Sequence, residues 1–368
     1  MNSNILEKTL VQKAIQVSQP IYACLELLPL CNMNCDMCYV RLSREEMDEK
    51  GRLRTVEEWS NLTEQMKEMG TLFVLLTGGE PLLYPGFKEL YCKLLELGMI
   101  VTINTNGTLI DEEWADFFGK YKPRRINVTV YGSKEQTYQE LCHFPGGYQR
   151  TLDGIALLKE HRIDVRINGS VTAANMDQMD DIYAIGKKFD FPVHMDTYMV
   201  SCTRERNRTF DSAARLLPQE AAHANIKALK NEMTTSDFQN YVDETIFHIE
   251  HGERRYDRNI NCLAGRCSFA VNWQGEMRPC LTFSNVCSHP FEVGIKHAWD
   301  QLVRDVSGLV LHEKCATCKL RVVCKTCVAS AFCESGSFDG ISEYHCRYAS
   351  HFFNLLCDEK ESNNLDVQ

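Results

Sequence analysis

The placement of cysteine constrains this chain more than any other feature. Eighteen cysteines occur in 368 residues, unevenly spread. Cys31, Cys35 and Cys38 crowd one short segment, and only Cys24, Cys92, Cys142 and Cys202 accompany them before residue 261. Eleven more fall between Cys262 and Cys357. A chain this long buries a core without disulfide staples. Its 44% hydrophobic and 24% charged residues exclude a disordered, collagen-like or disulfide-framework chain. No run of about eighteen apolar residues exists, so no membrane span is expected, and the first twenty residues lack the apolar stretch of a signal peptide. A cytoplasmic location with reduced thiols follows, and there so many cysteines point to metal. The net charge of −10 with no basic stripe argues against nucleic acid as a partner.

Between the cysteine groups, strand-like and helix-like stretches alternate. Strands are expected at Ile21–Leu28, Leu72–Leu76, Ile100–Asn104, Ile126–Tyr131, Asp164–Val171 and Val193–Met199, as apolar runs typical of buried parallel strands. Val56, Trp59, Leu62, Met66 and Met69 recur at helical spacing, as do Phe87, Leu90, Leu94, Leu95 and Leu97. Further helices are expected at Glu112–Phe118, Tyr148–His161 and Met179–Phe189. Six βα units make an α/β fold with a parallel sheet, fewer than the eight of a closed TIM barrel. A partial barrel and a doubly wound sheet both fit, and either places its site at the C-terminal ends of the strands.

The segment Cys31-x3-Cys35-x2-Cys38 follows the first strand directly. Three thiolates on one loop can hold three irons of a four-iron cubane, leaving the fourth open to a ligand. A zinc knuckle or incidental thiols are the alternatives, although the loop offers no His as a fourth zinc ligand. The second strand ends in Thr77-Gly78-Gly79-Glu80-Pro81, where two glycines admit close approach to the backbone and Glu80 offers a carboxylate to an amine. The third ends in Asn104-Thr105-Asn106-Gly107, a run of small polar groups. A plain turn would explain the glycines alone; here each motif stands at the mouth of its own strand.

Together, these residues resemble the radical S-adenosylmethionine (radical SAM) superfamily over about residues 20–200. The resemblance implies a partial six-unit (βα) TIM barrel. It also implies a catalytic [4Fe–4S] cluster on Cys31, Cys35 and Cys38, whose open iron chelates the methionine part of S-adenosyl-L-methionine. Gly78, Gly79 and Glu80 would then hold the methionine amine, with Asn104, Asn106, Tyr39 and Thr129 as further cofactor contacts. Thr129-Val130-Tyr131-Gly132 stands where relatives often read Ser-Leu-Asp-Gly. Two departures are Met37 in place of an aromatic before the third cysteine, and Cys142-His143 where many relatives carry arginine. Arg150 and Arg166 are the substitutes for that arginine contact. The implied chemistry is reductive cleavage to a 5′-deoxyadenosyl radical that abstracts hydrogen from substrate, fed by an electron donor such as flavodoxin or ferredoxin. Cys142, after the fourth strand, is the candidate to return hydrogen to a substrate radical.

The C-terminal cysteines read Cys262-x4-Cys267, Gly275-x4-Cys280, Cys315-x2-Cys318-x5-Cys324-x2-Cys327 and Cys346, with a hairpin expected over 271–276. Two Cys-x2-Cys pairs suffice for one zinc but leave four cysteines unexplained, whereas eight thiolates complete two four-iron clusters. The pattern resembles the SPASM domain over about residues 255–350. That resemblance implies a small cysteine-rich α+β domain with a β-hairpin and two auxiliary [4Fe–4S] sites, three clusters in all. Cys262, Cys267, Cys280 and Cys327 would form one set and Cys315, Cys318, Cys324 and Cys346 the other. The two-residue spacing before Cys327 departs from the usual three, so Cys333 is its alternative. Full thiolate ligation favours an electron-transfer role.

SPASM proteins mostly modify peptides. The sulfatase-maturing members carry aspartate where this chain has Leu281, which discounts formylglycine formation. Thirty residues precede Cys31, too few for the leader-binding domain of many relatives, so a separate leader-binding protein or direct binding in the barrel is expected. The leading expectation is maturation of a ribosomally made peptide by cross-linking, epimerisation or a related step. A small-molecule oxidoreductase or epimerase is the alternative, and a non-catalytic iron–sulfur redox protein the remote one. Cys24, Cys92, Cys202, Cys287 and Cys357 read as buried small hydrophobes. Arg204, Glu205, Arg206 and Arg208 read as a solvated connector. The expected division is 1–20 extension, 21–202 barrel, 203–254 helical connector, 255–357 SPASM domain and 358–368 frayed tail.

Overall fold

The structure is a computed structural model that describes residues 5–201, 214–252 and 255–365. Cys202 and the Arg204–Arg208 cluster lie outside the described residues. Six parallel strands follow one another in chain order: β1 (Tyr22–Glu26), β2 (Phe73–Thr77), β3 (Ile100–Thr105), β4 (Arg125–Thr129), β5 (Val165–Ser170) and β6 (Val193–Asp196). Helices Val56–Glu68, Phe87–Glu96, Glu112–Lys120, Gly147–Glu160 and Met179–Phe189 connect them. Thr55 begins the first of these with a capping box, its hydroxyl accepting from Glu58 N while the Glu58 carboxylate accepts from Thr55 N.

The strands alternate in chemistry, as a half-buried sheet must. Leu25, Leu76, Ile103, Val128 and Ile167 point to one face and pack in a single core with Trp59, Leu90, Phe118, Leu158 and Ile182 of the helices. The other face carries polar groups on β3–β5: Asn104, Asn127 and Arg166 stand in register across the three strands, as do Thr129 and Asn168 one step on.

The sheet does not end with the sixth unit. Strand β7 (Ser268–Val271) pairs parallel with β1 on the side away from β2, and β8 (Met277–Arg278) returns antiparallel beside it. The expected hairpin is present, but it extends the main sheet instead of belonging to a detached domain. Its turn has a definite cause. Asn272 Oδ1 accepts from Glu276 N at 2.8 Å, and Gly275 takes φ +91°, which a side chain rarely tolerates. The glycine of the Gly275-x4-Cys280 motif thus sets the direction in which Cys280 leaves the sheet.

The connector comprises helices Pro218–Glu232 and Thr235–His251. The last helix, Glu343–Leu365, lies against both, burying Tyr348, Phe352 and Leu356. The expectation of a frayed tail from residue 358 is corrected here. Lys230–Glu359 at 2.7 Å and Lys360–Asp243 at 3.1 Å tie that stretch to the connector, and polar composition marks only its outward face. Among the described residues, no helix is long and apolar enough to cross a membrane.

Candidate active site

A cavity of about 510 Å³ opens at the C-terminal ends of the parallel strands. Cys31, Cys35, Cys38 and Tyr39 line it on one side; Thr77, Gly78, Gly79, Asn104, Thr129 and Asn168 line it from the strand ends. Ser170, Asp196, Tyr198 and Thr282 complete the rim. The three thiols, the two glycines, Asn104, Thr129 and Tyr39 therefore line one cavity.

The thiols accept hydrogen bonds in buried surroundings. Met33 N donates to Cys31 Sγ at 3.4 Å, Asn106 Nδ2 to the same sulfur at 3.7 Å, and Arg41 N to Cys38 Sγ at 3.2 Å. Yet burial, with the Glu80 charge nearby, pushes the Cys31 thiol up, and burial lifts Cys38 to about 11. Metal ligation would offset that burial, because a coordinating thiol is deprotonated outright. Behind the lining, Asn127 Nδ2 donates to Asn104 Oδ1 at 2.8 Å and orients that side chain. Three thiols on one short loop at the cavity wall are a donor set that fits a cluster. No three His, Cys, Asp or Glu side chains among the described residues converge as round a single ion; a cubane, with its irons at separate corners, does not require that.

Gly78 and Gly79 serve a purpose the sequence did not convey. A Cβ on Gly79 would lie 2.3 Å from the Leu30 carbonyl oxygen, and one on Gly78 2.7 Å from that of Leu28. Gly79 N donates to Leu28 O and Glu80 N to Leu30 O. The close approach is thus chain on chain, pressing the glycine loop against the segment that leads into the thiol loop.

Several expected contacts are placed behind the cavity instead of in it. The Glu80 carboxylate is fully buried, absent from the lining, and accepts from Leu82 N, Thr105 Oγ1 and Asn106 N. Burial raises it to about 7 against the pull of those bonds. Asn106 spends its amide on Asn32 Oδ1 (2.8 Å) and its oxygen on Thr108. Arg166 is one step deeper on β5, its Nε donating to Asn168 Oδ1. These three position the lining and do not form it. Arg150 lies over the Phe144 ring, away from the cavity lining.

Cys142 is likewise corrected. Its side chain is fully buried with Met33, Cys35, Tyr138 and Leu141 and lines no part of the cavity. Its thiol bonds to that of Cys35, which together with burial holds Cys35 well above the usual range. Asn34 N donates to Cys142 O and Asp36 N to Leu141 O, while His143 Nε2 meets Asp36 Oδ1 at 2.8 Å. The 141–143 turn is a saddle for the thiol loop. Tyr131, whose side chain bonds to Cys35, belongs to the site and was missed; its place in the quoted Thr129–Gly132 motif was the available signal.

In the C-terminal part the thiols fall into two neighbourhoods. Burial raises Cys280, with Cys327 and Cys262 adding to the effect, and Cys267 is raised by burial and by Cys262. Burial also raises Cys315, Cys324 and Cys346, helped by Cys318 in each case and by Cys346 on Cys324. Cys24, expected as a buried small hydrophobe, is half-buried. Cys92, Cys287 and Cys357 are partly buried.

Residues 25–184 match the model of the radical SAM superfamily. The chain carries a radical SAM domain. Over 331 residues the enzyme is 24% identical to the AdoMet-dependent heme synthase of Methanosarcina barkeri, covering 85% of this chain and 92% of that one. It is 26% identical over 267 residues to the antilisterial bacteriocin subtilosin biosynthesis protein AlbA of Bacillus subtilis, covering 72% of this chain and 55% of that relative. It spans little more than half of AlbA. Among solved structures it resembles anSMEcpe with bound AdoMet and Cp18Cys peptide, with a TM-score of 0.69 at 18% identity over 94% of this chain and 99% of that one. That likeness establishes the α/β fold of the radical SAM enzyme with its cysteine-rich C-terminal part.

Proposed function

We propose that this enzyme cleaves S-adenosylmethionine reductively and takes a hydrogen atom from a ribosomally made peptide, maturing it by cross-linking, epimerisation or a related step. The observation that carries the reading is the shared wall of the cavity, where three thiols, a glycine pair and polar strand ends meet. Cys31, Cys35 and Cys38 would hold a [4Fe–4S] cluster, and Gly78 and Gly79 would flank the methionine part of the cofactor. A cluster held by these thiols would supply the electron for reductive cleavage of S-adenosylmethionine. Asn104, Thr129, Asn168 and Ser170 would orient the cofactor by hydrogen bonds, and the partial barrel would shield the radical from water.

Cys262, Cys267, Cys280 and Cys327 would hold one auxiliary cluster, and Cys315, Cys318, Cys324 and Cys346 the other. Supporting this division is that neighbouring thiols perturb one another within each set. The peptide reading draws on the peptide-bound anSMEcpe structure and on AlbA. A cytoplasmic setting, a separate leader-binding protein and a flavodoxin or ferredoxin donor complete the proposal. A tetrapyrrole substrate is the second reading, favoured by the heme synthase relative matched over 92% of its length.

Anaerobic reconstitution tests the proposal. Roughly twelve irons per chain are expected, as three four-iron clusters require. Reductant-dependent 5′-deoxyadenosine and a mass change in a peptide encoded beside the gene are expected with them. No 5′-deoxyadenosine removes the proposal. A porphyrin consumed while every peptide stays unchanged selects the second reading.

A further inference from the structure

A second cavity, of about 520 Å³, lies on the same side of the sheet toward the N-terminal ends of β3, β2, β1 and β7. It shares Tyr39 and Thr282 with the candidate active site. Its floor is two cross-strand rows. Thr102, Leu75, Cys24 and Ala270 stand in register, and so do Phe73, Tyr22 and Ser268. Leu263, Pro279, Cys280 and Leu281 face them from the C-terminal part, so the chamber borders the proposed auxiliary-cluster thiol of Cys280.

The polarity of the sheet changes across this boundary. One step up from Thr102 on β3 is Asn104, and the neighbouring strands present Asn127, Thr129 and Asn168. Below it, Tyr22 and Phe73 stack at 4.7 Å, and the polar tips turn outward. Tyr22 Oη donates to Glu7 at 2.7 Å, and Arg124, which lies over the Phe73 ring, pairs with Glu7 at 2.8 Å. These charges are already satisfied, so the interior presents mainly ring faces and aliphatic surface, with the thiols of Cys24 and Cys280 among them. Such a chamber holds water poorly and gains from an apolar occupant. Its size falls in the range of ligand sites, about 300–1,000 Å³.

We infer that this chamber seats an aromatic or branched aliphatic side chain of the substrate, anchoring it while the reacting part of the chain lies beyond Tyr39 and Thr282 in the upper cavity. This rests on the peptide reading above and adds the class of residue that is selected.

The test uses the anaerobic holoenzyme with S-adenosylmethionine and no reductant. N-acetyl-tryptophanamide, N-acetyl-leucinamide and N-acetyl-glycinamide are compared by equilibrium dialysis. The tryptophan and leucine probes are expected to bind at least about ten-fold tighter than the glycine probe, the scale on which apolar pockets discriminate. Ala270→Phe, which fills the chamber, should abolish the difference, and Ala270→Val should reduce it. Iron content and the melting temperature check each fold; if Ala270→Phe loses iron, the valine variant decides. Equal binding of all three probes, or a preference untouched by a folded variant, overturns the inference. So does displacement-resistant binding of iron-coproporphyrin with no binding of the amides, which would make the chamber a tetrapyrrole seat. Because binding is read without reductant, it is separable from the radical chemistry. Probe binding without 5′-deoxyadenosine on later reduction counts against the proposed function alone, and the reverse counts against the chamber alone.

Discussion

Glu80 and Gly79 order the strand ends behind the thiol loop through opposite means, one by hydrogen bonds and the other by having no side chain. Glu80 gathers two backbone donors, Leu82 N and Asn106 N, and the Thr105 hydroxyl in a fully buried position. Glu80→Ala would leave those donors unpaired and cost about 2–3 kcal/mol, the usual penalty for stranded buried groups; Glu80→Gln, which keeps an acceptor, should cost less. Urea unfolding of the anaerobic protein measures both, and equal losses would contradict the account. Gly79→Ala forces a Cβ to within 2.3 Å of a backbone oxygen that no rotamer can relieve. It should cost at least about 2 kcal/mol, as overpacking does, and lower the iron retained per chain. A Gly79→Ala protein with normal stability and iron would show that the two loops can part without loss.

At the scale of elements, the edge strand β6 depends on one carboxylate. Glu232, at the end of helix Pro218–Glu232, accepts from Met195 N at 2.9 Å, from Tyr183 Oη at 2.9 Å and from His194 Nδ1 at 3.0 Å. The hydrogen bond that His194 donates to Glu232 raises the His194 pKa above its ordinary value. A raised histidine pKa stabilises the fold fully below the unfolded value of about 6.5, and that contribution fades as pH climbs through the folded value. His194 is about half exposed, at 45% of its side chain, so solvent screening holds the effect under about 1 kcal/mol. Unfolding midpoints should therefore fall more between pH 6 and pH 9 for the natural chain than for His194→Asn. Parallel slopes would remove the link between β6 and the connector.

The elements differ in how much of them the sequence carried. The first six strands are legible because each is a local apolar run bounded by turn residues, and the thiol loop because its ligands sit within eight positions of one another. Strand β7 is four residues whose partner, β1, stands near the other end of the chain. No local pattern reports such a pairing. The positions of Cys142 under Cys35 and of Glu80 behind the cavity were illegible for a related reason, since a residue's type says what it can bind but its burial decides whether it is offered.

On the scale of the whole molecule, the barrel and the cysteine-rich part share one core. Phe269, Met277, Trp299 and Leu302 belong to the same buried cluster as Leu25, Leu76 and Ile103. Trp299 Nε1 donates to Ser18 O at 2.8 Å, and Trp273 packs against Leu42 and Met47. Arg54 donates to Gln274 O at 2.7 Å, and Trp59 meets the edge of Phe291. The hairpin also covers the β1 edge, whose unpaired backbone groups would otherwise template aggregation. Two halves so joined cannot unfold in sequence without exposing most of the core of the half that remains. The four tryptophans make this measurable, since Trp59 and Trp114 report on the barrel and Trp273 and Trp299 on the C-terminal part. A Trp59→Phe/Trp114→Phe protein and a Trp273→Phe/Trp299→Phe protein should each lose fluorescence at the same urea concentration as its own circular dichroism. A separation beyond about 0.5 M between the two probes in either protein would mean independent units, and with it a cysteine-rich domain that only leans on the barrel instead of completing its sheet.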